Sequence, residues 1–104
     1  MVYNVLIMRS LAVNRLVVKI GTHTLTRPSG RLDRPNIRRL VEELSDLREE
    51  GRELVLVTSG AIAAGLEALG LRERPADLPT LQAAASVGQG RLMELYKGLF
   101  GERG

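Results

Sequence analysis

Lys19 and the triplet Ser59, Gly60 and Ala61 are the residues of this sequence best suited to handling an anion. Each follows an apolar run, residues 16–18 in the first case and 54–57 in the second. A lysine ending an otherwise apolar strand must find water or an anionic partner for its ammonium. Open α/β sheets bind ligands in a cleft at the carboxyl ends of their parallel strands, and a lysine over such a cleft would neutralise a transferring phosphoryl group. Snorkelling of the side chain into solvent explains the same residue without a ligand. Residues 57–65 are mostly small and open a helix. Backbone N–H groups can turn toward a ligand there, and the peptide dipoles favour negative charge. An ordinary strand-to-helix turn with Ser59 as its N-cap is the competing reading. Gly21 and Thr22, just beyond Lys19, add backbone donors for phosphate oxygens.

Several familiar chemistries are excluded. Gly60 and Gly65 have the spacing of a phosphate-binding P-loop, yet Leu66 and Glu67 stand where Lys and Ser or Thr are required. Gly88-Gln89-Gly90 runs on into Arg91, Leu92 and Met93 within a helical pattern, which is not a dinucleotide fingerprint. Ser59 lies outside any Gly-x-Ser-x-Gly elbow. With no cysteine and one histidine, His23, there is no disulfide framework, thiol nucleophile or thiolate metal site. His23 is expected to pack or hydrogen-bond in its loop, and Tyr96 and Phe100 to serve the core or an interface.

The 104 residues could form one domain with a modest core, and 44% hydrophobic content is ordinary for one. A net charge of +3 raises the question of nucleic acid, but the basic residues are spread along the chain and 3% aromatic content offers no stacking platform. Arg38 with Glu42 and Arg39 with Glu43 have the spacing of pairs on a solvated helix face. The apolar patch at residues 5–8 is too short to span a membrane and lacks a basic lead-in and a clear cleavage site. A cytoplasmic protein is expected, with residues 1–14 as an extension and Met8 as a possible start.

These residues must be positioned by a small set of elements. Residues 16–21 read as a strand running into a turn, and 22–31, rich in Thr, Gly, Ser and Pro, as a loop. Asp33 is a candidate N-cap for a helix carrying Ile37, Leu40, Val41, Leu44 and Leu47, with Gly51 as its left-handed stop. Residues 54–57 read as a strand buried on both faces, parallel to the first. A helix over about 61–69 and a Pro-bounded loop over 70–79 follow. Thr80 or Asp77 caps a last helix reaching about Leu99. Gly88 and Gly90 within it cost about 1 kcal/mol each relative to Ala, so close packing against another backbone or a ligand is expected at both. Two strands leave open sheet edges, and the chain reads as unfinished.

Taken in order, the segments 17–22, 57–65 and 83–92 resemble the amino acid kinase family, and within it the branch that phosphorylates the side chain of L-glutamate. The resemblance covers roughly residues 15–100, and the Ser-Gly-Ala-Ile-Ala-Ala-Gly run at 59–65 is its most specific part. It implies an α/β fold, the N-terminal part of a three-layer αβα sandwich with a mostly parallel sheet, with residues 15–104 as a partial kinase domain. It implies ATP-dependent formation of glutamyl 5-phosphate, the first step of proline synthesis. Lys19 would be catalytic and contact ATP phosphates along with Gly21 and Thr22, while Ser59, Gly60 and Ala61 would bind glutamate. Mg2+ would arrive with the nucleotide, with no metal ligand in this chain. ATP and L-glutamate are the implied partners, with assembly as a homo-oligomer in the complete enzyme and neither nucleic acid nor membrane bound by this segment. His23 departs from the small residue common in the family. The family's further Asp and Asn residues, second lysine and adenine-binding half are absent from the sequence, so a truncated and inactive fragment is expected. Another small-substrate kinase of this fold, or a non-catalytic interaction fragment, would share the same features.

Overall fold

The structure, a computed structural model, describes residues 14–104, so the extension expected at its start lies almost wholly outside the described residues. The elements run β1 (Arg15–Ile20), α1 (Thr22–Leu25), α2 (Arg34–Glu49), β2 (Glu53–Thr58), α3 (Ala61–Ala68) and α4 (Leu78–Gly101). β1 and β2 pair in parallel, in register from Arg15 opposite Glu53 to Ile20 opposite Thr58. This is the parallel α/β unit expected from the spacing of the two apolar runs.

Helix α2 forms where sequence signals agree. The Asp33 carboxylate accepts the Asn36 N–H at 3.2 Å, Pro35 occupies the first turn, and Gly51 at φ +89° ends the helix. Its buried stripe is Ile37, Leu40, Val41, Leu44 and Leu47, each contributing about 1.5–3 kcal/mol by leaving water. In α4 the cap is Asp77, with Thr80 as its partner: the Asp77 carboxylate accepts the Thr80 N–H at 3.0 Å. Hydrogen bonds from the Thr80 side chain and then its backbone hold the Asp77 carboxyl below its ordinary value.

Three expectations are corrected. The sheet is covered on one face, by a core that joins Val18 and Ile20 to the helices and packs against Leu16, Leu54 and Leu56. Val17 and Val55 on the opposite face are 71% and 58% exposed, so residues 54–57 are not buried on both sides. Residues 22–31 are not simply a loop. Leu25 and Leu32 are buried, and holding them there turns 22–25 into a helix and closes an antiparallel bridge between Thr26 and Leu32 around Gly30 at φ +86°. The Asn36 amide fastens this segment by donating to the Thr24 carbonyl at 2.7 Å. Finally, Arg38 reaches across to Glu102 at 2.7 Å and Arg39 donates to Asn36, in place of the expected i, i+4 pairs.

Helices α3 and α4 approach backbone to backbone. A Cβ added to Gly65 would lie 1.8 Å from the Ala84 carbonyl oxygen, and one on Gly88 1.6 Å from that of Ala61. No side chain fits at either point. Gly90, by contrast, has nothing within 4 Å of its Cβ position, so of the two glycines of α4 only Gly88 packs against another backbone. Gly90→Ala should therefore stabilise the protein by about 0.5–1 kcal/mol through helix propensity. Gly88→Ala should destabilise it by about 1–3 kcal/mol as the helices are forced apart. Paired thermal melts followed by circular dichroism check this, and shifts of the same sign would refute it.

Candidate functional site

The segment between β2 and α3 is built by three backbone constraints. The Ser59 N–H donates to the Ile20 carbonyl at 3.1 Å, extending the parallel ladder one residue beyond β2. Gly60 then takes φ +98°, the left-handed region that glycine enters without steric cost, and becomes the N-cap of α3. Its carbonyl accepts the Ala64 N–H at 3.0 Å. No side-chain hydrogen bond caps this helix, which removes the reading of Ser59 as a simple N-cap. The N–H groups of Gly60 and Ala61 find no acceptor among the described residues, as the first donors of a helix do not.

Thr22, Ser59, Gly60 and Ala61 line one open groove of about 1610 Å3. Lys19 and Gly21 are not among its lining residues. Lys19 is exposed on the open face of the sheet, where it registers with Val57, and makes no ion pair among the described residues. Gly21 is exposed and begins α1 as its N-cap. His23 is also exposed, so it does not pack into the loop as expected.

Two features of the site were missed in the sequence. The groove gathers Arg31, Arg34, Arg72, Arg74 and Arg91, set against Glu67 and Glu94. Basic residues that are scattered in sequence therefore line one open depression, each of them exposed to solvent. Glu67 is already engaged: it accepts the Leu32 N–H at 3.0 Å and pairs with Arg34 at 3.1 Å. The second feature is the buried Tyr96, whose hydroxyl lies 2.8 Å from Thr58 Oγ1 beside the Ser59 turn. Its position in the α4 stripe signalled burial, and a buried phenol needs a hydrogen-bond partner.

The groove and the strand ends suit small anions. Lys19 and the free N–H groups at Gly60 and Ala61 are donors of the kind phosphate and carboxylate oxygens take. Among the described residues no three His, Asp or Glu side chains come together as a metal-binding group. No helix among the described residues is long and apolar enough to cross a membrane.

The amino acid kinase family model matches residues 14–104, and the chain belongs to that family. It is 53% identical to the glutamate 5-kinase of Symbiobacterium thermophilum over 90 residues, which is 86% of this chain and 34% of the relative. It is 52% identical to the glutamate 5-kinase of Clostridium acetobutylicum over 92 residues, 88% of this chain and 34% of that one. With the glutamate 5-kinase of Thermobifida fusca the figures are 55% over 86 residues, 83% of this chain and 22% of the relative. The chain thus spans 22% to 34% of the length of these curated relatives.

Because Gly60 has a positive φ, its replacement should cost conformational energy more than space: an added Cβ would meet Leu25 Cδ1 at 3.4 Å, an ordinary contact. Gly60→Ala should lower stability by about 1–2 kcal/mol, and Gly60→Asn by less. Denaturant midpoints measure both, and an unchanged Gly60→Ala midpoint would show that the turn relaxes freely.

Proposed function

We propose that this segment forms the glutamate-binding and part of the phosphate-binding surface of a kinase that converts L-glutamate and ATP into glutamyl 5-phosphate and ADP. The observation that carries the reading is the placement of Lys19 and Ser59-Gly60-Ala61 at the carboxyl ends of two adjacent parallel strands, joined by the Ser59 to Ile20 hydrogen bond. The arginines of the groove and the glutamate 5-kinase names of relatives above 50% identity support it.

ATP supplies the phosphoryl group. Lys19, with Gly21 and Thr22, receives its phosphate oxygens, and the exposed ammonium stabilises the charge that shifts during transfer. Ser59 with the Gly60 and Ala61 backbone holds the acceptor. Magnesium would come with the nucleotide, held chiefly through its phosphates. Catalysis and assembly into a homo-oligomer belong to a protein of the relatives' length, and the 104 residues alone are expected to be inactive. The product is an intermediate of proline synthesis on the same reading.

A full-length chimera tests this, with residues 14–104 replacing the matching segment of the Symbiobacterium thermophilum relative. It should form ADP only when glutamate is present. Lys19→Met should lower kcat by about 100- to 1,000-fold, as loss of a preorganised charge partner does. Ser59→Ala should chiefly raise the glutamate KM, the mark of a group that binds ground and transition states alike. Near-normal turnover in Lys19→Met, or unchanged glutamate kinetics in Ser59→Ala, would remove that residue from its role. Preference for another small carboxylate in a substrate panel would redirect the assignment within the family.

A further inference from the structure

The residues around the Ser59 turn form a relay that the proposed chemistry does not use. Thr58 Oγ1 lies 3.0 Å from the Ser59 carbonyl oxygen and 2.8 Å from the Tyr96 hydroxyl. A carbonyl only accepts, so the single Thr58 hydroxyl proton points to Ser59. Tyr96 must then be the donor to Thr58. We propose that Tyr96, acting through Thr58, is a positioning residue that sets the orientation of the Ser59–Gly60 peptide and thereby the affinity for the carboxylate substrate.

The reason such a device is needed lies in Gly60. A peptide preceding a glycine flips readily, because glycine accepts positive and negative φ almost equally. A flip here would exchange the directions of the Ser59 carbonyl and the Gly60 N–H, presenting an acceptor where an anion needs a donor. The described chain has no cis peptide bond, so in this trans unit the two groups point in opposite directions. Holding the carbonyl toward Thr58 therefore keeps the Gly60 N–H, which has no acceptor among the described residues, directed away from Thr58.

Tyr96 is well placed to hold its end. It is 5% exposed, its ring stacks on Phe100 with centroids 6.2 Å apart, and α4 is fixed against α3 at Gly88. Burial raises its phenol above the ordinary value, so the hydroxyl keeps the proton it donates.

This inference rests on the reading of 59–61 as the substrate loop, and the experiment separates the two. In the full-length chimera, Tyr96→Phe keeps the ring and removes only the donor, while Thr58→Val keeps the shape and removes the link. Each should raise the glutamate KM and the calorimetric Kd for glutamate by about 2- to 10-fold, the scale of one neutral hydrogen bond. The ATP KM should not change, nor kcat by more than about twofold on the same scale. The double variant should be no worse than either single one, since both cut one chain of bonds. Thr58→Ser should restore affinity.

Three outcomes overturn the relay: unchanged glutamate affinity in both single variants, equal rises in the two KM values, or full multiplication of the effects in the double variant. If Ser59→Ala weakens glutamate binding and Tyr96→Phe does not, the relay fails and the substrate loop stands. If Tyr96→Phe weakens it and Ser59→Ala does not, the relay stands through the Gly60 N–H, and the role of the serine hydroxyl fails. Should Tyr96→Phe fold poorly, the contrast between Thr58→Val and Thr58→Ser decides by itself.

Discussion

The turn of the candidate site is braced by one backbone-to-backbone contact, the crossing of α3 and α4 at Gly65 and Gly88. Because no side chain separates the helices there, their spacing is set by carbonyl oxygens and Cα atoms. That makes α4 a rigid ruler along the site. Gly88 abuts Ala61, just after the Ser59–Gly60 turn, and Tyr96, about 12 Å further along the helix axis at 1.5 Å per residue, reaches Thr58 just before it. One helix thus holds both sides of a two-residue turn. The fit leaves the turn little freedom to drift, although its glycine would otherwise permit it.

Charge adds a second constraint. Five arginines line the groove, whereas only one of them, Arg34, has an ion pair with a groove carboxylate at contact distance. On the proposed reading these exposed guanidiniums would attract an anionic substrate over a screening length of about 10 Å at 0.1 M salt. Grip must come from directed donors, which is what the end of β2 and the start of α3 supply. On that reading the division of labour would be physical: the arginines would act at long range, screened by salt, and the N–H groups at hydrogen-bond distance.

Much of this was legible in the sequence where the signals were local. Asp33, Pro35 and Gly51 bracket α2, and the stripe from Ile37 to Leu47 has helical period, so that helix follows from propensity, capping and pattern together. The parallel pairing of β1 and β2 followed from two short apolar runs separated by a helix. What escaped was non-local. Whether residues 54–57 are covered on one face or two depends on which other elements pack there, and an unbroken apolar run is compatible with either. Gly88 and Gly90 are indistinguishable in a helical pattern, since a third residue, Ala61, decides which one lies at a crossing. The Arg38 partner lies 64 residues away. Likewise the Tyr96 to Thr58 bond joins residues 38 apart, and nothing in the tyrosine's own neighbourhood identifies its acceptor.

The separation of Lys19 from the groove is the remaining puzzle of the site, and strand geometry resolves it. Lys19 registers with Val57, so the two share the open face of the sheet. Ser59 has the same parity as Val57, and its hydrogen bond to Ile20 continues the ladder through that position. By alternation it belongs to the lysine's face, yet it also lines the groove on the helical side of the turn. Ser59 is therefore where the two surfaces meet, at the carboxyl edge of the sheet. On the proposed reading, the carboxylate enters from the arginine-lined groove and the phosphoryl group from the open face, with the edge between them as the place of transfer. Two anions that repel each other would then approach from different sides, with Thr22 at the groove end of the phosphate site, and meet only at their reacting ends, which is the arrangement that positioning and electrostatic stabilisation of phosphoryl transfer require.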